Sequence, residues 1–389
     1  MVAMAHQGAA VEQFDRWLRH EFLDLNTELE EAYFAAHREI LYGPDLEVIK
    51  QAIALNGAKL VAQIVEAGTT PVDARERYQL LGAVGLYLGA CRRHEVDVPE
   101  HELVESLANL LGASLGVAPR YVFAHQCLYG YRTFTALDDE RVFVTHNGLG
   151  VLSYQRAAHA LRRIPAMGVS SPLAAYLLED ARAALDDVLL SNRTLSETLN
   201  VDRFFLNIRP YFKPYQVGGV EFRGANAGDF AAINEIDLLL GLCAAHDPFY
   251  QRVLTEKYAY VPPEDQVLLR AAVTGVSLLE LLFREAATGP VTAQLRANAE
   301  RFLAVCRAHG AAYTFHHHRL VKPFLETPAK HAPEERVNDI TASGPPLDVV
   351  LGGLQRLSDL RAARDRPGVV VTAQASLNKL REVINVEGR

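Results

Sequence analysis

Residues 11–37 read VEQFDRWLRHEFLDLNTELEEAYFAAH. Phe14, Trp17, Leu18, Phe22, Leu25, Leu29, Tyr33 and Phe34 fall at three- and four-residue steps, which lines them along one side of an α-helix. The charged residues between them take the opposite side, so the segment is an amphipathic helix with a face to bury. The same period returns at 46–67, 72–93, 100–115, 151–163, 172–190, 229–245, 263–286, 291–324, 347–363 and 373–384. These segments are rich in Ala, Leu and Glu, with no alternation of strands and helices, which predicts an all-α fold. One stretch departs from the pattern. Residues 120–144 carry RYVFAHQCLYGYRTF and most of ERVFVTH, and their Tyr, Phe, Val and Thr predict a short hairpin or irregular loops.

The chain has 389 residues, enough for one large domain or two. A boundary near residue 120 divides it into a smaller helical part, 1–120, and a larger helical body, 121–389. Hydrophobic residues make up 49% and charged residues 22%, which argues for a packed core and against disorder. A net charge of −8 without a Lys/Arg-dense tract argues against nucleic acid or an anionic membrane as partner. Cys91, Cys127, Cys243 and Cys306 form no CxxC pair, so neither a disulfide framework nor a thiolate zinc site is expected, and the reducing cytoplasm is. No transmembrane run and no signal peptide are read from the sequence.

The densest chemical signal is His316-His317-His318 within AAYTFHHHRLVKPFL. Consecutive helical residues point about 100° apart, so the three rings cannot share a face. On that wheel Phe302, Leu303, Cys306, Tyr313, Leu320, Val321 and Phe324 fall within about 60° of His317, while His316 and His318 lie to either side. His317 is thus the imidazole centred on the apolar stripe. A lone histidine there is a poor zinc site, which wants four ligands, and a reasonable axial ligand for haem, where one imidazole suffices. Its other reading is a hydrogen-bonded core residue. Pro323 predicts a kink near Arg319.

Three further segments carry polar groups in suggestive settings. In FFLNIRPYF, residues 204–212, Arg209 sits among Phe204, Phe205, Ile208, Tyr211 and Phe212. A buried guanidinium must be paired; it fits either a ligand with a carboxylate and an aromatic ring or an internal ion pair with Glu235 or Asp237. In GANAGDF, residues 224–230, Gly224, Ala225 and Asn226 let backbone approach a flat ligand, and Asp229 is a candidate cap for the next helix. A plain turn is the competing reading. In RVFVTHNGLG, residues 141–150, Phe143, His146 and Asn147 precede the helix expected from 151, where His146 faces either a ligand or solvent. The long segments 210–228 and 327–346 are loops of a length more often functional than connecting. No GxSxG, HExxH, GxGxxG or P-loop is present.

These segments, in this order, resemble the haem-dependent tryptophan dioxygenase superfamily, which includes the indoleamine 2,3-dioxygenase, tryptophan 2,3-dioxygenase and monodechloroaminopyrrolnitrin synthase branches. RPYFKPYQVGGVEFRGANAGDFAAINEIDLLLGLC and FHHHRLVKPFL look most similar to the last. The resemblance covers about residues 140–365. It implies a helical domain in which His317 holds haem b, within a His-x-x-apolar-Val pattern met by residues 317–321. It implies that Arg209 grips a substrate carboxylate beside Phe204 and Phe205, with Gly224, Ala225 and Asn226 over the ligand. Phe143, His146, Asn147 and Gly150 match the distal side only loosely; His146 is the candidate catalytic base. The Gly-Thr-rich loop of the family corresponds to residues 341–346, where Pro345 and Pro346 replace its glycines. The implied activity is oxygenation of the indole ring of tryptophan or a substituted tryptophan by dioxygen or peroxide, in a biosynthetic monomer or homodimer. The competing function is a non-catalytic helical sensor of haem or indole.

Overall fold

Aspartate or serine caps, prolines at first turns and glycines just past last turns punctuate the chain into helices. The structure, a computed structural model, describes residues 2–68, 70–329 and 345–385. Its helices are α1 Val2–Arg19, α2 Glu21–Ala35, α3 Pro44–Glu66, α4 Ala74–His94, α5 His101–Leu115, α6 Phe123–Cys127, α7 Asp138–Met167, α8 Pro172–Thr198 and the short α9 Val201–Arg203. A π-helical turn, Phe204–Ile208, and a 3-10 turn, Arg209–Phe212, follow. After the hairpin come α10 Ala232–Leu240, α11 Pro248–Tyr258, α12 Pro263–Thr274, α13 Leu278–Thr288 and α14 Ala293–His316. A second π-helical turn, His317–Val321, leads into α15 Lys322–Ala329; α16 Leu347–Arg361 and α17 Gln374–Asn385 complete the chain. The fold is all-α.

The departures from expectation have local causes. The first amphipathic stripe is divided at His20, where the backbone leaves helical geometry, so it makes α1 and α2. Residues 120–144 contain no strand; the two short strands among the described residues, Tyr215–Val217 and Val220–Phe222, pair antiparallel across Gly218 and Gly219, both at positive φ, as a two-residue hairpin turn requires. The helix expected from 151 begins at Asp138, with Asp138, Asp139 and Glu140 in its first turn, where carboxylates suit the helix dipole. Phe143, His146 and Asn147 therefore lie within a helix and do not precede one. Asp229 does not cap α10, whose cap is Ala231; its carboxylate accepts from the Asn226 backbone and pairs with Arg223 instead.

Two segments, Pro44–Glu66 and Pro263–Thr288, are long and apolar enough by length and composition to cross a membrane. The first packs on α1, α2, α4 and α5, and the second is two helices, ending at Thr274 and restarting at Leu278.

Two large cores organise the chain. One joins Phe14, Phe22, Tyr33, Val61, Tyr87 and Leu111 of the first five helices to Phe134, Phe143, Phe212, Ala225, Leu320 and Phe324. The other joins α7 and α8 from Val151 to Val188 with Phe230, Leu240, Phe302, Tyr313, Leu360 and Leu380. Among the described residues four stretches cross from one core to the other: Val144 to Val151 on α7, Val188 to Leu195 on α8, Ala225 to Phe230 in the glycine-rich loop, and Tyr313 to Leu320 around the histidine run. All but the one on α8 are segments already marked by their chemistry.

Candidate functional site

Two prolines shape the site. Proline lacks an amide proton and clashes with the carbonyl four residues back, so it disrupts regular helix just before itself. Pro210 follows the π turn Phe204–Ile208, and Pro323 follows the π turn His317–Val321. These wider turns take up the disruption, the expected kink near Arg319 among them. Such turns concentrate at functional positions, and the only two among the described residues fall on the FFLNIR and HHH segments. The Leu206 carbonyl, four residues before Pro210, accepts instead from Arg93 at 3.1 Å. Arg93 is in turn paired with Glu30 through two contacts of 2.8 Å, and Asn207 donates to Glu30 at 2.7 Å. The π turn is thus tied to α2 and α4.

His317 has no solvent-exposed surface, His316 is half-buried and His318 is exposed, so the ring centred on the apolar stripe is the enclosed one. Its Nε2 faces Gln355 Oε1 on α16 at 3.1 Å, and its Nδ1 is buried without a partner among the described residues. Burial lowers the pKa of His317, assisted by the charges of His318 and Lys322, which favours the neutral ring. A neutral imidazole is the form that binds a metal. The residues fit haem in that respect. Among the described residues no group of three or more His, Cys, Asp or Glu side chains clusters as a metal site.

Aromatic contacts join the segments. Phe324, one heptad beyond His317, meets Phe204 with ring centroids 5.7 Å apart, and Phe204 meets Phe143 at 5.1 Å. Ala225 donates its backbone N–H to the Phe212 carbonyl at 2.9 Å. At the other end of that loop, Phe230 meets Tyr154 of α7 at 5.4 Å. Phe143, Asn147, Gly150 and Tyr154 lie on one side of α7 by their four- and three-residue spacing. Gly150 is buried, yet a Cβ there would meet no atom within 4 Å. The helix therefore borders open space at the turn where it passes from one core to the other.

His146 and Asn147 are half-buried and flank that turn; Asn147 donates to the Phe143 carbonyl at 2.8 Å. Gly224 and Ala225 are buried, whereas Asn226 is exposed, and Phe205 is buried beneath Arg209. Residues 341–344 lie outside the described residues.

Arg209 is buried, with its guanidinium carbon 4.3 Å from the centre of the Phe205 ring and Nε donating to the Phe205 carbonyl at 3.3 Å. Its ion pair is with neither Glu235 nor Asp237. Glu235 is held by Arg162, and Asp237 by Arg361 and His309. Arg209 Nη2 instead lies 3.7 Å from Glu39, and Lys213 reaches the same carboxylate oxygen at 2.5 Å. Burial would raise the Glu39 carboxyl, but Arg209 and Lys213 overcome it and hold it down at about 2. Sequence reasoning missed Glu39, Lys213 and Gln355. Lys213 stands next to the aromatic motif and was discoverable there; Glu39 and Gln355 lie in distant segments with no local signal.

A helical protein that buries one imidazole on one π turn and one guanidinium just past the other has residues of the kind a haem-dependent oxidoreductase uses. Comparison with family models names the branch. The monodechloroaminopyrrolnitrin synthase (PrnB) family model matches residues 8–384, and the chain belongs to that family. A search of individually curated proteins finds no match. Members of the family are haem-containing enzymes that act on a tryptophan-derived substrate with oxygen, which sets aside the non-catalytic sensor.

Proposed function

We propose that this enzyme holds haem b on His317 and oxygenates the indole ring of tryptophan or a ring-substituted tryptophan on the way to a secondary metabolite. The observation that carries the reading is the set of ring contacts that joins Phe143 of α7 to Phe204 and Phe204 to Phe324, and Tyr154 of α7 to Phe230, with open space at Gly150 between Phe143 and Tyr154 along the helix. Haem held there would supply the iron chemistry that activates dioxygen or peroxide, which is the oxidant.

The remaining work belongs to the chain. Arg209, braced against the Phe205 ring and by Glu39, presents a planar fork that takes the substrate carboxylate through two parallel hydrogen bonds. Phe143 and Phe204 supply an apolar wall against which an indole ring packs. The loop from Gly224 to Asn226, with no side chain larger than asparagine, covers the ring and excludes water. His146, one turn before Gly150, is the group assigned to take a proton from the substrate. The four free cysteines fit a reducing cytoplasm, and we take the working unit to be a monomer or homodimer.

The test is incubation of haemin-reconstituted enzyme with tryptophan and with halotryptophans, under dioxygen with a reductant and separately with peroxide. Mass spectrometry is expected to find products heavier by one or two oxygen atoms, or rearranged at the ring. A haem-loaded protein that binds tryptophan but leaves every one of these substrates intact defeats the proposal.

A further inference from the structure

We propose that a cavity between α14, α16 and α17 is a binding site for a phosphate group, free or carried on a small molecule. Its volume is about 210 Å³, and Arg307 of α14, Arg361 at the end of α16 and Arg381 of α17 line it. Cys306, Gln374 and Asn378 complete the polar lining, and the rest is leucine and alanine. Among the described residues no Asp, Glu or aromatic side chain lines the cavity. Without an aromatic wall it is no seat for an indole ring, and it shares no residue with the surroundings of Arg209.

The three guanidiniums differ in what they already hold. Arg361 is buried, and Asp237 takes its Nε and Nη2 at 2.7 to 3.0 Å. That pair balances its charge and leaves Nη1 outside it. Arg307 is exposed and Arg381 half-buried, and neither has a carboxylate at ion-pair distance among the described residues. Both act on the same thiol: burial pushes Cys306 up to about 12, and the two guanidinium charges pull it the other way. Two positive charges therefore stand unbalanced around one cavity, in a chain whose net charge is −8. Like charges held together repel, and a dianion between them removes that cost.

The uncharged groups are set to donate as well. A backbone N–H and a guanidinium donate hydrogen bonds and accept none. Gln374 Oε1 accepts from the Asp365 backbone at 3.0 Å, and Asn378 Oδ1 accepts from Arg381 Nη1 at 2.5 Å. Each amide oxygen is thus occupied, and each NH2 is left to donate. The Cys306 thiol keeps its proton and brings no charge to repel an anion. A phosphate group suits this lining, because it accepts on three or four oxygens and, as a monoester, carries about −1.5 to −2 at neutral pH. That charge matches the two unpaired guanidiniums, and it sits in one compact group. The volume is below the roughly 300 Å³ at which pockets for larger organic ligands begin, so the ligand is small.

The probes are inorganic phosphate, glycerol 3-phosphate and malonate, titrated by calorimetry into the full chain as isolated, with chloride holding the ionic strength constant. A single equivalent of phosphate or glycerol 3-phosphate is expected to bind saturably and to raise the melting temperature, as binding to the folded state requires. The tighter of the two distinguishes a site for free phosphate from one for a phosphomonoester. Arg307→Gln and Arg381→Gln are each expected to weaken binding by about tenfold or more, and together to abolish it. Without phosphate, both variants are expected to melt near the parent protein, since neither guanidinium holds a carboxylate. Absence of saturable binding, tighter binding of malonate than of either phosphate compound, or unchanged binding in the double variant would overturn the proposal.

Discussion

At the scale of single residues, three adjacent histidines have different surroundings and so different expected roles. His317 is enclosed, His318 is exposed, and His316 lies against the Tyr313 ring with centroids 6.2 Å apart. His317→Ala is expected to abolish the Soret band of reconstituted protein, while His316→Ala and His318→Ala retain it; absorbance after desalting reads the result. Arg209 makes a second case. Removing one partner of a desolvated charge pair costs about 2–5 kcal/mol, so Arg209→Ala is expected to weaken tryptophan binding by that amount, measured by calorimetry. Arg209→Lys keeps the charge and loses the fork, and is expected to recover only part of the affinity. Unchanged affinity in Arg209→Ala would leave the guanidinium as a partner of Glu39 and nothing more.

At the scale of elements, α7 carries two devices that can be tested separately. Glycine inside a helix is less favourable than alanine by about 1 kcal/mol, so Gly150 is retained against propensity at a turn that faces open space. Gly150→Leu is expected to hold or raise the melting temperature while sharply reducing uptake of haem or substrate, because the new side chain fills that space. At the start of the helix, Glu140 accepts from the backbone of Phe134 and Thr135, the Thr135 hydroxyl and Gln126. Burial lifts its carboxyl from 4.5 to about 7, against the pull of those donors. The folded protein then holds the proton more tightly than the unfolded chain. The associated stability is complete below about pH 4.5 and disappears as pH climbs through about 7. Thermal melts are expected to show that decline in the parent protein and a flatter profile in Glu140→Gln. The helices themselves were legible because burial of one face imposes a period on the sequence, and the wheel placed His317 at the centre of its stripe for the same reason. The π turns were legible only as a predicted kink, since proline signals disruption without specifying how the backbone absorbs it. The start of α7 was hidden because Tyr, Phe, Val and Thr before and within it are strand-prone residues whose packing overrides propensity. The partners Glu39 and Gln355 were invisible, because contacts between distant segments leave no periodic mark.

At the scale of the whole molecule, the site depends on helices that contribute nothing to its lining. Glu30 of α2 and Arg93 of α4 are both buried, and together with Asn207 they hold the π turn from which Phe204, Phe205 and Arg209 project. Their effect is specific to geometry: the Leu206 carbonyl freed by Pro210 accepts from Arg93, so loss of the guanidinium strands that carbonyl as well as the Glu30 carboxylate. Breaking a buried pair by removing one partner costs about 3–5 kcal/mol. Arg93→Met is therefore expected to lower stability to chemical denaturation by roughly that amount and to raise KM for the tryptophan substrate more than it lowers kcat. The double variant Arg93→Met with Glu30→Leu removes the stranded charge along with its partner, so most of the lost stability is expected to return. The KM defect should persist, because the Leu206 carbonyl still lacks its donor and Asn207 keeps only the backbone carbonyl of residue 30. If stability and KM recovered together, the network would serve folding only, and the coupling between the N-terminal helices and the substrate turn would have to be abandoned.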